Sequence, residues 1–324
     1  VGLFYAKQYK KEIEGGVMSK VENPKSPIVG KLQGVHLFHY DGAPCAQRVR
    51  FALHEKGLIR GREERFDDDS PASSRGEEGK WVSRHVSLVK KDHMTKTYSL
   101  IQPNLVVPAL VHDGQLHIES MEIVEYLDEA FGGTPLVPKH DRELLADAQA
   151  LTDLGKALHR SIRFVTFRWG LRGLARLSSK EEDQLRDLLK DSEDGESLAS
   201  FYEGYDKQTI PDSVYVDHLE KLNAAFCSHD QRLQDGRHFL TGDDLTMADI
   251  IWAMKTQRLI ECDYPFDQCY PAYAAWFKRV SSRPSFQEGV MGKHRFMSNA
   301  FRAKASIENL LGIGLKREVL KRVA

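Results

Sequence analysis

What most constrains this chain is the point at which its strand signals stop. Alternating apolar patterns and a tight turn lie ahead of Thr134-Pro-Leu-Val-Pro138, and from Asp141 onward helix formers dominate. A chain of 324 residues suits about two domains of roughly 100–200 residues each. The switch therefore predicts a mixed α/β domain over 34–133, a linker over 134–145 and an all-helical domain over 146–300. Residues 1–33, with Gly15-Gly16, Pro24 and Pro27, read as a flexible lead-in, within which 1–17, ahead of Met18, read as a non-native extension. Residues 301–324 read as an amphipathic tail, with Leu311, Leu315, Val319 and Val323 on one face and packed over the chain's own domain or a dimer partner.

Within the first half, Val35-His-Leu-Phe-His39 alternates like a strand. Pro44 opens a helix that Gly57 stops, with Val49, Phe51, Ala52 and Leu53 near helical spacing. A second strand is expected over Glu63 to Phe66, then a long polar loop from Asp67 to about Ser99 with a helical piece around Trp81 to Val89. Asp113-Gly114 between two alternating runs predicts a hairpin. Ser120 then caps a helix carrying the stripe Ile123, Val124, Leu127 and Phe131, ended by Gly132-Gly133. This order is the thioredoxin-like layout. In the second half, helices are expected over Val214–Leu233, Met247–Ile260 and Ala272–Val280, with a polar interruption from Asp191 to Asp212.

A formal net charge of −1 and a pI near 7.0 give no electrostatic reason for a nucleic-acid or anionic-membrane partner. Four scattered cysteines, without a C-x-x-C pair, argue against a disulfide framework and a structural zinc site, so no metal is expected. His36 and His39 point to opposite faces of their strand and make a poor metal pair. A reducing cytoplasm is the expected home.

Three features carry chemistry. Ala43-Pro44-Cys45 starts a helix, where free N–H groups and the helix dipole favour a thiolate. The plainer reading of Cys45 is a small apolar residue at a helix start. Val107, extended ahead of Pro108, turns its N–H and C=O toward a peptide ligand; an ordinary edge proline is the alternative. Glu119-Ser120, at a strand-to-helix handover, offers an anion seat beside a carboxylate and so suits a zwitterion, although Ser120 is equally an ordinary cap.

The order P-C-A-Q-R-V-R, V-V-P-A-L and E-S before a helix resembles the amino-terminal domain of cytosolic glutathione transferases. Leu240-Thr-Gly-Asp-Asp-Leu-Thr-Met-Ala-Asp249 resembles that family's folding signature, with Thr246 and Asp249 as a capping box. The resemblance covers about residues 34–290. It implies a thioredoxin-like α/β domain followed by an all-α helical bundle, glutathione as co-substrate, and a homodimer or related heterodimer. It also implies that Val107 pairs with the cysteinyl backbone beside Pro108, itself among the glutathione-binding residues, that Glu119 and Ser120 hold the γ-glutamyl end, and that Cys45 lies near the glutathione sulfur.

Cysteine two places before Gln47-Arg48 is similar to the zeta class and to bacterial hydroquinone reductive dehalogenases, which also share Arg283-Pro-Ser-Phe286 followed by Val290-Met291. Phe167 to Arg176, leading into Ser178-Ser-Lys-Glu-Glu182, resembles bacterial β-etherases, which do not present a cysteine at the Cys45 position. The omega-class cysteine position falls on Ala43. The expected activity is transfer of glutathione to a small aromatic substrate, as in β-aryl ether cleavage. Reductive dehalogenation or zeta-like isomerisation through Cys45 is the alternative, and a non-catalytic interaction module a third. Cys45, Tyr40 and Arg163 are the catalytic candidates. Phe164, Phe167 and Trp169 are expected as an aromatic wall and Arg168 as a phenolate contact; core packing and a solvated arginine stripe are the plainer readings.

Overall fold

The computed structural model describes residues 20–171, 176–190 and 195–323, so the extension expected over 1–17 lies outside the described residues. Six strands form one sheet in the order β1-β6-β5-β2-β4-β3, with β1 Lys20–Val21, β2 Val35–His39, β3 Ile59–Arg65, β4 Lys80–His85, β5 Ala109–His112 and β6 Gln115–His117. β4 runs parallel to β2 and to β3, while β5 and β6 are the antiparallel hairpin. At its turn Asp113 (φ 48°) and Gly114 (φ 77°) are both left-handed, as a two-residue hairpin loop of the I′ type requires.

Two expectations in this domain are corrected. The helical piece around Trp81 to Val89 is instead strand β4, whose Trp81, Val82, Ser83 and Arg84 are all buried. A strand covered on both faces loses the alternation that identifies half-buried strands, so its sequence reads ambiguously. The strand expected at Glu63 starts at Ile59 and forms the sheet edge, where Arg60, Arg62, Glu63, Glu64 and Arg65 discourage further pairing. Residues 20–33 also differ from a flexible lead-in. β1 pairs with β6, and Ile28, Val29 and Leu32 are buried.

Helix α1 (Pro44–Glu55) packs beside α2 (Ser120–Ala130) on the sheet. The second half holds α3 (Arg142–Ala157), α4 (His159–Val165) running into a π-helical turn over Thr166–Leu171, α5 (Ser179–Leu189), α6 (Gly195–Asp206) and α7 (Asp212–Leu233). The longer helices that follow are α8 (Met247–Ile260), α9 (Pro271–Ser281), α10 (Arg295–Leu310) and α11 (Leu315–Val323). Helix α6 occupies part of the expected polar interruption.

The Thr246–Asp249 capping box is formed at the start of α8. Asp249, fully buried, also accepts from Leu240 N (2.9 Å) and Trp276 Nε1 (2.8 Å). Beyond it α8 is buried nearly all round and packs on both α1 and α3, so one apolar cluster continues from Val49 and Phe51 to Ile251 and Trp252. In the tail Leu315 and Val319 are buried, whereas Ile307, Leu310 and Leu311 are exposed. Among the described residues no helix is long and apolar enough to cross a membrane.

Candidate functional site

The site begins where β2 hands over to α1. Ala43 occupies the N-cap, Pro44 opens the helix and Cys45 is half-buried in its first turn. The preceding loop is held by Arg50, itself 2% exposed. Its guanidinium donates to Asp41 O (2.8 Å), Tyr40 O (3.2 Å) and Gly289 O (2.7 Å), fixing the loop to the second domain. The Asp41 carboxylate accepts from Arg60 at 2.7 Å. Burial alone would raise its pKa, but Arg50, His39 and Arg60 hold it well below the usual carboxylate range. Tyr40 packs its ring 5.8 Å from His85. Burial raises its phenol pKa, Asp41 adds to that and Arg258 opposes it.

The second wall is the segment ahead of β5. The Val107-Pro108 peptide is cis, Val107 is buried, and Gln102 Nε2 donates to Pro108 O at 3.3 Å. Glu119 follows β6 with φ 66° and ψ 107°, a strained conformation for a residue with a Cβ. Such outliers cluster at ligand sites. Asn104 Nδ2 reaches the Glu119 carboxylate at 3.5 Å. Ser120 opens α2, and its Oγ accepts from Arg48 Nη1 at 3.1 Å. Arg48 sits one turn beyond Cys45, so this bond ties the Cys45 helix to the Ser120 helix.

Several residues around this junction carried no functional assignment in the sequence. Arg48 is 5% exposed, and its Nε finds no hydrogen-bond partner among the described residues. Lys255 of α8, 1% exposed, likewise leaves Nζ without one, 5.9 Å from the Trp252 ring. Burial pushes its amine well below the ordinary lysine pKa and the Arg48 cation adds to that, whereas Cys45 opposes it. His159 is lowered in the same way by burial, then by Arg48 and Lys255. On the far side of the loop, His294 Nε2 meets Glu261 Oε1 at 2.7 Å, both side chains buried. A Cβ built on Gly42 would lie 3.4 Å from Met297 Sδ and 3.5 Å from His294 Cε1, so the start of α10 covers the Tyr40 loop.

The residues expected as a substrate wall lie in the helical domain. Phe164 and Trp169 are buried, and Phe164 and Phe167 sit 4.8 and 5.1 Å from the Phe201 ring. The Arg163 guanidinium lies 5.7 Å over that ring. Arg168 pairs with Asp212 at 3.0 Å, and both line a cavity of about 340 Å³ with Phe167, Tyr205 and Tyr215. Four residues of the Phe167 to Arg176 motif, 172–175, lie outside the described residues. His36 and His39 serve structure: His36 bonds Gln33 O and Arg84, and His39 bonds Ser83 and Arg50.

Comparison with known proteins bears on this geometry. The glutathione S-transferase N-terminal domain family matches residues 37–135, and the glutathione S-transferase C-terminal domain family matches residues 198–284. Glutathione S-transferase 1 of Dianthus caryophyllus is 30% identical over 120 residues, 37% of this chain and 45% of its own length. The chain therefore spans less than half of that relative. Glutathione S-transferase Z1 of Arabidopsis thaliana is 24% identical over 260 residues, 79% of this chain and 91% of its own. Among solved structures, the β-etherase LigF of Sphingobium sp. strain SYK-6 shares the fold with a TM-score of 0.64 at 20% identity, covering 79% of this chain and 98% of that one. With both family domains present in order on one thioredoxin-like and one helical unit, the chain belongs to the glutathione S-transferase family.

Proposed function

We propose that the chain is an enzyme that transfers glutathione to a small aromatic substrate, with cleavage of β-aryl ethers as its reaction. The observation that carries this reading is the Arg48–Ser120 bond at 3.1 Å, which joins the Cys45 helix start to the strained Glu119-Ser120 corner near cis-Pro108. A tripeptide running along Val107 would meet an anion seat at Ser120 and an ammonium acceptor at Glu119, with its sulfur at the start of α1. The glutathione thiolate then attacks the carbon bearing the aryl ether. A C–S bond forms, the C–O bond breaks and the pair leaves on the phenoxide. Arg163 or Arg168, among Phe164, Phe167 and Trp169, is proposed to steady that phenoxide, and Tyr40 to donate near the sulfur.

Cys45 itself favours a second reading, because it stands half-buried in the first turn of α1. In a reductive dehalogenase its thiolate attacks the sulfur of a glutathionyl-aromatic adduct. That releases the reduced aromatic and leaves a mixed disulfide, which a second glutathione resolves as oxidised glutathione. A zeta-like isomerase would use the same position. Activity with glutathione across aryl ethers, halogenated hydroquinones and maleyl-type isomerisation substrates separates these readings. Cys45→Ser sharpens the result: an etherase retains activity within a few-fold, whereas a reductive dehalogenase stalls with adduct accumulating. We also propose a cytoplasmic homodimer or related heterodimer, which light scattering on the purified chain checks. Absence of glutathione binding would instead select the interaction-module reading, since a shared fold does not fix function.

A further inference from the structure

Helix α10 turns an apolar face away from the rest of the protein. Nine large apolar side chains are exposed among the described residues, and five of them (Phe296, Ile307, Leu310, Leu311 and Ile313) lie on this one helix and the turn after it. Scattered singly, such side chains are ordinary; a contiguous run of them is not. At about 100° per residue, Phe296, Ala300, Ala303, Ile307, Leu310 and Leu311 fall within an arc of about 100° and a length of about 20 Å. All six are exposed. Ser298 and Ala305, buried against the body of the protein, lie on the opposite side of the helix.

Positive charge is gathered at the same place. Residues 295–324 hold seven Lys and Arg and two acidic side chains, a net of +5 that the whole-chain value of −1 conceals. Both acids are engaged, Glu308 by Lys304 at 2.7 Å and Glu318 by Lys321 and Arg322 at 2.9 and 2.8 Å. Arg317 donates to Gly312 O at 3.0 Å, so its guanidinium stands beside the turn that carries Leu311 and Ile313. Lys316, Arg317 and Lys321 line a cavity of about 470 Å³ with Asn309 and Leu320. Asn309 fixes this corner: Nδ2 donates to Asp263 Oδ2 at 2.6 Å, and Oδ1 accepts from Lys316 N at 3.1 Å. A cationic recess therefore opens where the apolar stripe ends.

We infer that this face of α10 and α11 docks on an anionic lipid surface. The stripe enters the boundary between headgroups and acyl chains, to a depth of about 5–10 Å. Lys316, Arg317 and Lys321 then meet lipid phosphates and carboxylates. The helix lies on the membrane rather than spanning it, since no helix among the described residues is long and apolar enough to cross one. Charge favours lipid over a second copy of this chain, because pairing along α10 would set +5 against +5. Geometry agrees: the stripe points directly away from the buried side of the helix, as contact with a plane requires. The docking does not depend on which substrate the glutathione site takes.

Cosedimentation of the full chain with vesicles tests this, using phosphatidylcholine alone or with about a third phosphatidylserine. The mixed vesicles should bind at least about tenfold more tightly, and raised salt should reverse that gain. Leu310→Ser with Leu311→Ser, and separately Lys316→Glu with Arg317→Glu, should each weaken binding at least about tenfold. Val89→Ser, at an equally exposed apolar position in the first domain, should leave it within about twofold. Leu310→Trp keeps the apolar face intact, so its emission should shift to the blue on mixed vesicles and be quenched by brominated lipid. No binding by wild type, equal binding to both vesicles, or binding undiminished by the serine pair overturns the inference. A dimer by light scattering that the serine pair dissociates, with no vesicle binding, overturns it in favour of a second copy.

Discussion

Arg48 spends its buried guanidinium on the Ser120 hydroxyl, and that hydroxyl is also the proposed seat of the γ-glutamyl carboxylate. Ser120→Ala removes a ligand contact and leaves a buried donor with one partner fewer. A lost hydrogen bond to a charged group is worth about 1.5–3 kcal/mol, so glutathione affinity should fall roughly 10- to 100-fold by calorimetry. Unchanged affinity would show that the ligand sits elsewhere. Cys45, Pro108 and Ser120, as proposed site residues, could be singled out in the sequence because each stands beside a structural boundary, a helix start or a strand end. Arg48 and Lys255 were not, since long cations are ordinarily read as solvated. The available signal was the run Ile250-Ile-Trp-Ala-Met-Lys255, where a lysine interrupts a helix apolar on nearly every side.

At the scale of elements, α8 depends on Asp249 more than on any propensity. Its carboxylate accepts from Thr246 N and Leu240 N at 2.9 Å each and from Trp276 Nε1 at 2.8 Å, in a fully buried setting. Asp249→Ala strands all three donors, and each buried unsatisfied group costs about 1–3 kcal/mol. Urea unfolding should therefore show a loss of at least about 3 kcal/mol, or no soluble folded protein. A loss below about 1 kcal/mol would contradict the account. The capping box, the Asp113-Gly114 hairpin and the long helices were legible because local chemistry determines them. β4 and β3 were not. Trp81-Val82 is buried on both faces, and β3 is an edge whose charges imitate a loop. Helix α6 was hidden for a related reason, since its apolar Ala199, Phe201 and Tyr205 lie within a polar stretch.

Across the whole molecule, several histidines are buried in neutral form. Burial, the leading cause in each, lowers His36 and His117 from 6.5 to about 4 and His229 to about 3. The unfolded chain binds protons at these positions once the pH falls below about 6.5, whereas the folded chain does not until about 4. Their contribution to stability is therefore complete above pH 6.5 and declines as the pH falls toward 4. The urea midpoint should drop between pH 7 and pH 5, by at least on the order of 1 kcal/mol in stability. His229→Phe should narrow that drop, because His229 packs against the Trp252 ring at 4.2 Å and has no hydrogen-bond partner among the described residues. An equal drop in the variant would contradict the assignment.

The two-domain architecture itself was readable from the disappearance of strand signals after Pro138. What required coordinates was how α1 and α8 pack together across that division, with Arg48 on one helix and Lys255 on the other both buried. The central claim is that glutathione lies between the start of α1 and the Glu119-Ser120 corner. Its most direct test is calorimetric titration of the full chain with S-methylglutathione, beside Ser120→Ala. The account predicts saturable binding at one site per chain, weakened about tenfold or more in the variant. No heat of binding to wild type, or equal affinity in both proteins, would contradict it.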